Sequence, residues 1–305
     1  NNVTDSNITI INTIPRFTYR RNFEKLKEEK HCISISSDTN WGCCIRCGQS
    51  MLFQYLRHCS TRNIDMLKDK FGDENLLKLF NDNYKSPFSL HNICKEIIKN
   101  GGHEGKWVSV SQLANAIQGL LTNQGFPVYV CKNSTLELNS AIKLINGNTP
   151  VLWLIPLMCG QREFDMKYLE FIMLSLGLKN GLGFIGGVKN KSYYYVGYST
   201  KKFYYFDPHT TKKSVSKDDQ FKSYFEPNLK EMEFKSISSS LMVGFVYSSE
   251  DELRTTCKIF QQFPYTPLYI VDSLENLEID FPDLNSLDNN GNDDDDFDII
   301  TKDDI

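Results

Sequence analysis

At 305 residues, 40% of them hydrophobic, the chain is long enough to bury one large core or two ordinary ones. Its formal charge of −4 conceals a division: residues 271–305 carry 13 acidic side chains against Lys302 alone, leaving an excess of eight positive charges on residues 1–270. Those positive charges are scattered rather than blocked and no nucleic-acid motif is present, which excludes nucleic acid as a partner, and no run approaches the ~20 apolar residues of a membrane span.

The opening "NNVTDSNITI" has neither a basic region nor an apolar signal core, and nine cysteines scattered over a long chain read as reduced thiols, so a cytoplasmic location is expected. Residues 1–15 read as an irregular or strand-like lead-in to "FTYRRNF", and "SSDTNWG" then supplies turn and capping residues. From there Ile45, Met51, Leu52, Tyr55 and Leu56 recur at helical spacing, so "CCIRCGQSMLFQYLRH" is predicted as a helix buried on one face, with Cys43 at its first turn. Further helices are predicted over 63–80, 89–99, 111–123 and 137–146, the third opened by the capping stretch "SVSQ". The pattern then changes. "FPVYVCK" and "TPVLWLIPL" read as buried strands, "EFDMKYLEFIMLSLGL" as a helix, and "GLGFIGGVKNKSYYYVGYSTKKFYYFDPHTTK" as a β-meander of three runs. "SLMVGFVYS" adds a strand and "SEDELRTTCKIFQQF" a helix with acidic residues in its first turn. After about residue 275 periodicity is lost, and the Asp- and Asn-rich end reads as a disordered tail: one domain over 1–275 and a tail over 276–305.

Cys43, Cys44 and Cys47 crowd into five positions. A structural zinc site needs four ligands, but the chain offers a single CxxC, with His58 and Cys59 three turns further along the same helix. A redox CxxC normally follows a strand, and the residues upstream here read as a loop. The third reading is a nucleophile, because a thiol at a helix N-terminus is favoured as the thiolate. It needs a base. His31 lies in a charged loop, His58 late on a helix, and His91 and His103 near helix boundaries, whereas His209 ends a strand in "DPHTT", two residues after Asp207. A carboxylate that close orients an imidazole that takes a thiol proton, although Asp-Pro is also an ordinary turn opener. Spacing alone leaves these readings open.

Several motifs in order resemble those of the autophagy cysteine proteases, or autophagins: "FTYRRNF", "SDTNWGCCIRCGQ", "LWLIPL", "GFIGGVKNKSYYYVGY" and "FDPHTT". The likeness covers roughly residues 15–265. It implies an α/β (α+β), papain-like cysteine protease fold with a small accessory subdomain, a helical part carrying Cys43 facing a β-rich part. It also implies that Cys43 is the nucleophile, His209 the general base and acid, Asp207 the group that orients it, and Tyr19 a donor to the oxyanion. No cofactor or metal is expected. The chain order Cys, Asp, His differs from the Cys, His, Asn of papain, and shared geometry does not require shared order.

The resemblance implies a substrate as well: the ubiquitin-like autophagy modifier, free and lipidated, cut after its C-terminal glycine, both to activate the precursor and to release it from phosphatidylethanolamine. Glycine suits a narrow, aromatic-roofed channel because it has no Cβ. Trp107 and the loop Val188, Lys189, Asn190 and Lys191 are expected to mask the site, with Lys189 standing where the family has proline. Phe297 and Ile300 in "DDDDFDII" are expected to dock on the modifier as an added strand with two apolar anchors. A monomer in transient contact with autophagic membranes is expected, and family members usually have more residues ahead of "FTYR". The rivals are a catalytically weak modifier-binding protein, for which the full set of triad residues is unfavourable, and a thiol-redox or zinc protein using Cys44 and Cys47.

Overall fold

A computed structural model describes residues 13–26, 34–60, 73–145, 147, 149–188, 190–215, 218–226 and 229–272. Strands β1 (Arg20–Leu26) and β2 (Ile35–Ser37) lead into α1 (Cys43–Ser60), followed by the short α2 (Asp73–Leu77), α3 (Leu90–Lys99) and α4 (Val110–Asn123). Serines start two of these helices. Ser89 accepts from the Asn92 amide, and Ser109 forms a reciprocal capping box with Gln112, each satisfying helix donors that have no partner within the helix. Then come β3 (Val128–Val130), β4 (Thr135–Glu137), α5 (Leu138–Lys143), β5 (Val151–Met158), α6 (Leu169–Gly177), β6 (Gly181–Gly187), β7 (Ser192–Tyr198), β8 (Lys202–Phe206) and β9 (Lys212–Lys213). The chain continues through β10 (Leu229–Glu233), β11 (Ser240–Tyr247), α7 (Glu250–Gln261) and β12 (Tyr269–Val271).

Seven strands make one sheet in the order β10-β8-β7-β6-β11-β5-β3, antiparallel except for the β3–β5 pair. Alternation along the strands divides the core. Leu152, Leu154, Ile185, Tyr194 and Met242 face a layer built by α1, α3 and α4, while Trp153, Ile155, Phe184, Tyr195 and Val243 face α6 and α7. A sheet covered on both faces must be apolar on both, which is why "VLWLIPL" is buried almost throughout and does not alternate with polar residues. Helix α1 lies against β6, β7 and β11. A Cβ at Gly244 would stand 2.6 Å from the Met51 sulfur, so the helix sits close only because β11 has glycine there. The result is the papain-like α/β arrangement expected, with Cys43 on the helical side of the sheet.

The structure departs from expectation at several places. The segment from Arg20 of "FTYR" onward, for which no strand was expected, is laced into a small sheet, β2-β1-β9, in which β1 runs antiparallel to β2 and parallel to β9. The helix expected over 137–146 is only α5, because Thr135–Glu137 joins β12 in a two-stranded parallel sheet. Of the helix expected over 63–80, residues 61–72 lie outside the described residues, and the rest is α2 followed by a 3-10 turn over Lys78–Phe80. Strand β10 was not expected. Its sequence, "LKEME", is charged because it edges the sheet, where Lys and Glu discourage further pairing. The tail motif, Phe297 and Ile300 included, lies outside the described residues, as do His31 and Lys189. No helix among the described residues is long and apolar enough to cross a membrane.

Candidate active site

The start of α1 is fixed by a buried charge network. Asp38, just upstream, accepts from the Arg20 amide at 2.5 Å and pairs with Arg46 Nε at 2.6 Å, while its backbone carbonyl accepts from the Gly42 amide at 2.9 Å. Arg46 also forks onto Asp82 at 2.9 and 3.2 Å and donates to Gln49 at 2.9 Å, and both ion-pair partners are buried with it. The Asp38 side chain lies so close over Gly42 that a Cβ there would fall 2.6 Å from two of its atoms. Glycine before Cys43 is thus a steric requirement of the turn that begins the helix.

Cys43 is the first residue of α1, fully buried. Opposite it the chain leaving β8 bends through Asp207, Pro208 and His209. The Asp207 carboxylate accepts from the His209 amide at 3.0 Å and stands 2.6 Å from its Nδ1, a local turn that fixes the ring and leaves Nε2 for the other side. That Nε2 is buried and faces the Cys43 thiol in a contact looser than a closed hydrogen bond, as is common before substrate tightens such a site. The tyrosines pack edge-on against the imidazole: Tyr19 at 5.4 Å between ring centres and Tyr193, from β7, at 5.2 Å. The Tyr19 backbone is held on both sides, its amide donating to the Pro208 carbonyl and its carbonyl accepting from the Lys212 amide, each at 2.9 Å. Its hydroxyl lies on the side of the Cys43 sulfur, as does the Ser192 amide at the start of β7, and both act on the thiol electrostatically.

Burial would push the Cys43 thiol up, but the facing His209 imidazole, the Ser192 amide and Tyr19 favour the thiolate and together bring the thiol down to about 7. Burial likewise opposes the imidazolium, yet Asp207 and then Cys43 raise His209 to about 9. Asp207 is held below the usual carboxylate range, because hydrogen bonds from His209 and Lys230 overcome its partial burial. Between about 7 and about 9, therefore, the two groups stand as thiolate and imidazolium. The alkylation rate of Cys43 by iodoacetamide is expected to rise with pH through an inflection near 7. In His209→Ala that inflection should move upward, since burial remains and the imidazolium is gone. An inflection that stays in place would refute the coupling.

Cys44 and Cys47 sit in the core cluster with Ile45, Met51 and Leu52, whereas Cys43 stands outside it. Burial pushes both of their thiols up, away from the reactive form. Among the other histidines, His91 is buried with Nε2 2.5 Å from the Glu24 carbonyl. Trp107 stands in the loop ahead of α4, half-buried, its indole N–H without a partner among the described residues. The same loop rests on β2, where a Cβ at Gly105 would meet Ile35. Val188 and Lys191 bond to each other through both backbone groups, closing a tight turn between β6 and β7 in which Asn190 has a positive φ of 43°. Ser192 follows directly, so this turn ends one residue from a group that acts on the Cys43 thiol.

Sequence reasoning missed four groups at the site: Ser192, Tyr193, Lys230 and the Asp38–Arg46–Asp82 network. Only strand pairing brings Ser192, Tyr193 and Lys230 there, and the network depends on Asp82, from a loop that no motif marks.

Residues 5–259 match the family model described as the Peptidase C54 catalytic domain. The chain is similar to "Cysteine protease ATG4B" of Xenopus laevis, 29% identical over 314 residues that cover 89% of this chain and 80% of that one. It is also similar to "Cysteine protease ATG4B" of Gallus gallus, 26% identical with 79% and 72% covered, and to "Cysteine protease ATG4" of Medicago truncatula, 24% identical with 83% and 60% covered.

Proposed function

The chain belongs to the peptidase C54 family of cysteine peptidases, and from that premise we propose that it hydrolyses the bond after the C-terminal glycine of a ubiquitin-like autophagy modifier. Two substrates share that glycyl amide: the extended precursor, and the modifier joined to phosphatidylethanolamine. The observation that carries the reading is the Cys43 thiol at the head of α1, facing an imidazole that Asp207 holds at 2.6 Å, in a chain with this family match.

In this reading the Cys43 thiolate attacks the glycine carbonyl, and the negative charge moves to its oxygen, where the Cys43 amide and the Tyr19 hydroxyl receive it. The His209 imidazolium gives its proton to the departing amine, and the acyl-enzyme remains. Neutral His209 then takes a proton from water, the hydroxide adds to the thioester, and the thiolate leaves as the modifier is released with a free glycine carboxylate. Asp207 stays ionised throughout and keeps Nδ1–H pointed at itself. The full burial of Cys43 supports a gated site, with the 188–191 turn and the Trp107 loop as the elements that move when substrate enters.

The test is direct. The purified chain is incubated with a modifier precursor extended beyond its glycine, and with modifier coupled to phosphatidylethanolamine in vesicles. Mass spectrometry is expected to find modifier ending at glycine in both, and replacing that glycine by valine in the substrate should stop the reaction. Precursor left intact after prolonged incubation would overturn the proposal.

We place the catalytic domain within residues 1–275 and assign residues 276–305 to docking, with Phe297 and Ile300 as the anchors of a strand added to the modifier's sheet edge and the aspartates before them paired with basic groups. Deleting residues 293–300 is expected to weaken modifier binding about tenfold by calorimetry, while the rate of Cys43 alkylation is unchanged. Equal affinity in the two chains would dispose of this assignment. The lipidated substrate requires the chain, a monomer in this reading, to meet the membrane only transiently, while bound to the modifier.

A further inference from the structure

The catalytic groups expected from the motifs leave one charged contact unexplained. Lys230, on the edge strand β10, reaches across to the strand end that carries Asp207 and places its Nζ 2.7 Å from Oδ2, the oxygen opposite the one that meets His209. The contact follows from register: Lys230 pairs with Tyr205 of β8, two residues before Asp207. The lysine is half-exposed at the rim of the site, with 51% of its side chain accessible against 15% for Asp207. An ion pair so open to water adds little to stability. Its placement on the orienting carboxylate gives it something else to act on.

We propose that Lys230 is a positioning residue of the reaction, clamping one oxygen of Asp207 so that the other stays on Nδ1 of His209, and taking up part of the carboxylate's charge. The inference rests on the proposed role of the Cys43–His209 pair and goes beyond the motifs that suggested it.

A carboxylate held at one oxygen by a ring nitrogen can still rotate about its bond to Cβ. A second anchor on the other oxygen removes that freedom and keeps the imidazole in the tautomer that presents Nε2 to sulfur. The charge argument has a definite sign. With the ammonium present, the imidazolium faces a carboxylate already partly neutralised; with it gone, the full negative charge favours the imidazolium, which then keeps its proton to higher pH. The other titratable groups around the imidazole are Cys43 from α1, Tyr19 from the segment before β1 and Tyr193 from β7. Around the carboxylate stand Tyr193, Tyr205 of β8 and Cys47 of α1.

The experiment compares the full chain with Lys230→Met and Lys230→Arg, using histidine-labelled protein to follow the His209 imidazole by NMR as pH is raised. In Lys230→Met the imidazole inflection is expected to move up by about half a unit to one unit, and precursor cleavage near neutral pH to fall about three- to tenfold. Lys230→Arg should return both to wild type. An inflection that is unmoved or lower in Lys230→Met overturns the proposal, as does an arginine variant that behaves like the methionine one, since either would leave the contact merely structural. The titration needs no substrate. Failure of the wild-type chain to cut the modifier would therefore count against the proposed function alone.

Discussion

Replacing Cys43 by alanine is expected to abolish cleavage of the modifier precursor, a loss of at least about 10⁴ in kcat/KM, while Cys44→Ala stays within a few-fold of wild type. The two thiols are adjacent in sequence and differ in everything that governs reactivity. Cys43 is first on the helix, outside the apolar cluster, with the His209 imidazole, the Tyr19 hydroxyl and the Ser192 amide disposed around its sulfur. Cys44 turns into that cluster and burial pushes its thiol up. Removing the nucleophile removes the covalent step itself, which no residual oxyanion stabilisation can replace. The same assay on His209→Ala should show a loss of similar order, because residues acting as one unit do not contribute additively. Thermal melts of all three variants, expected to match wild type within a few degrees, separate lost chemistry from lost fold. Cleavage that survives Cys43→Ala, or is lost equally in Cys44→Ala, would move the nucleophile elsewhere in the cluster.

The second large effect lies beneath the site. Asp82→Ala is expected to lower the unfolding free energy by about 3–5 kcal/mol, read as a drop in urea midpoint at unchanged slope. Arg46 is fully buried between Asp38 and Asp82; taking Asp82 away keeps the Asp38 ion pair but strips Nη1 and Nη2 each of a partner in a buried setting. Arg46→Met combined with Asp82→Leu is expected to be less destabilised than the sum of the two single changes, the non-additivity that one network predicts. Because Asp38 also bonds the Arg20 amide and lies over Gly42, Asp82→Ala should cost activity even at temperatures where the fold survives. A shift in stability below about 1 kcal/mol would mean that water already reaches the network.

How much of this was readable beforehand depends on whether the cause is local. The helix from Cys43, the capping serines of α3, α4 and α7, and the meander β6–β7–β8 carry their own signals in apolar period and turn residues, and they stand where those signals put them. The lacing of β1 to β9 has none, since a parallel pair two residues long is decided by what Tyr19 and Lys212 find across the sheet. Strand β10 carries no strand signal because an edge position rewards the residues that a strand pattern disfavours. At the site, "DPHTT" carries Asp207 and His209 together, as neighbours in sequence. The thiol opposite them, the tyrosine edges on the ring and the lysine on the carboxylate come from distant segments and depend on the completed sheet.

That dependence has a consequence in time. Arg20 donates to the Lys213 carbonyl from 193 residues away, and Thr39 meets Thr211 across 172, so the catalytic hollow is closed by contacts between segments far apart in the chain. Pairings of such high contact order form late. A nascent chain that has exposed Cys43 but not yet Lys212 has a thiol without its base, and an intermediate in which α1 is docked but β1 is still unpaired lacks the tyrosine. Hydrolytic competence should thus arrive in a single late step, coincident with the closing of the outer strands, and its recovery during refolding would serve as a clock for that last event.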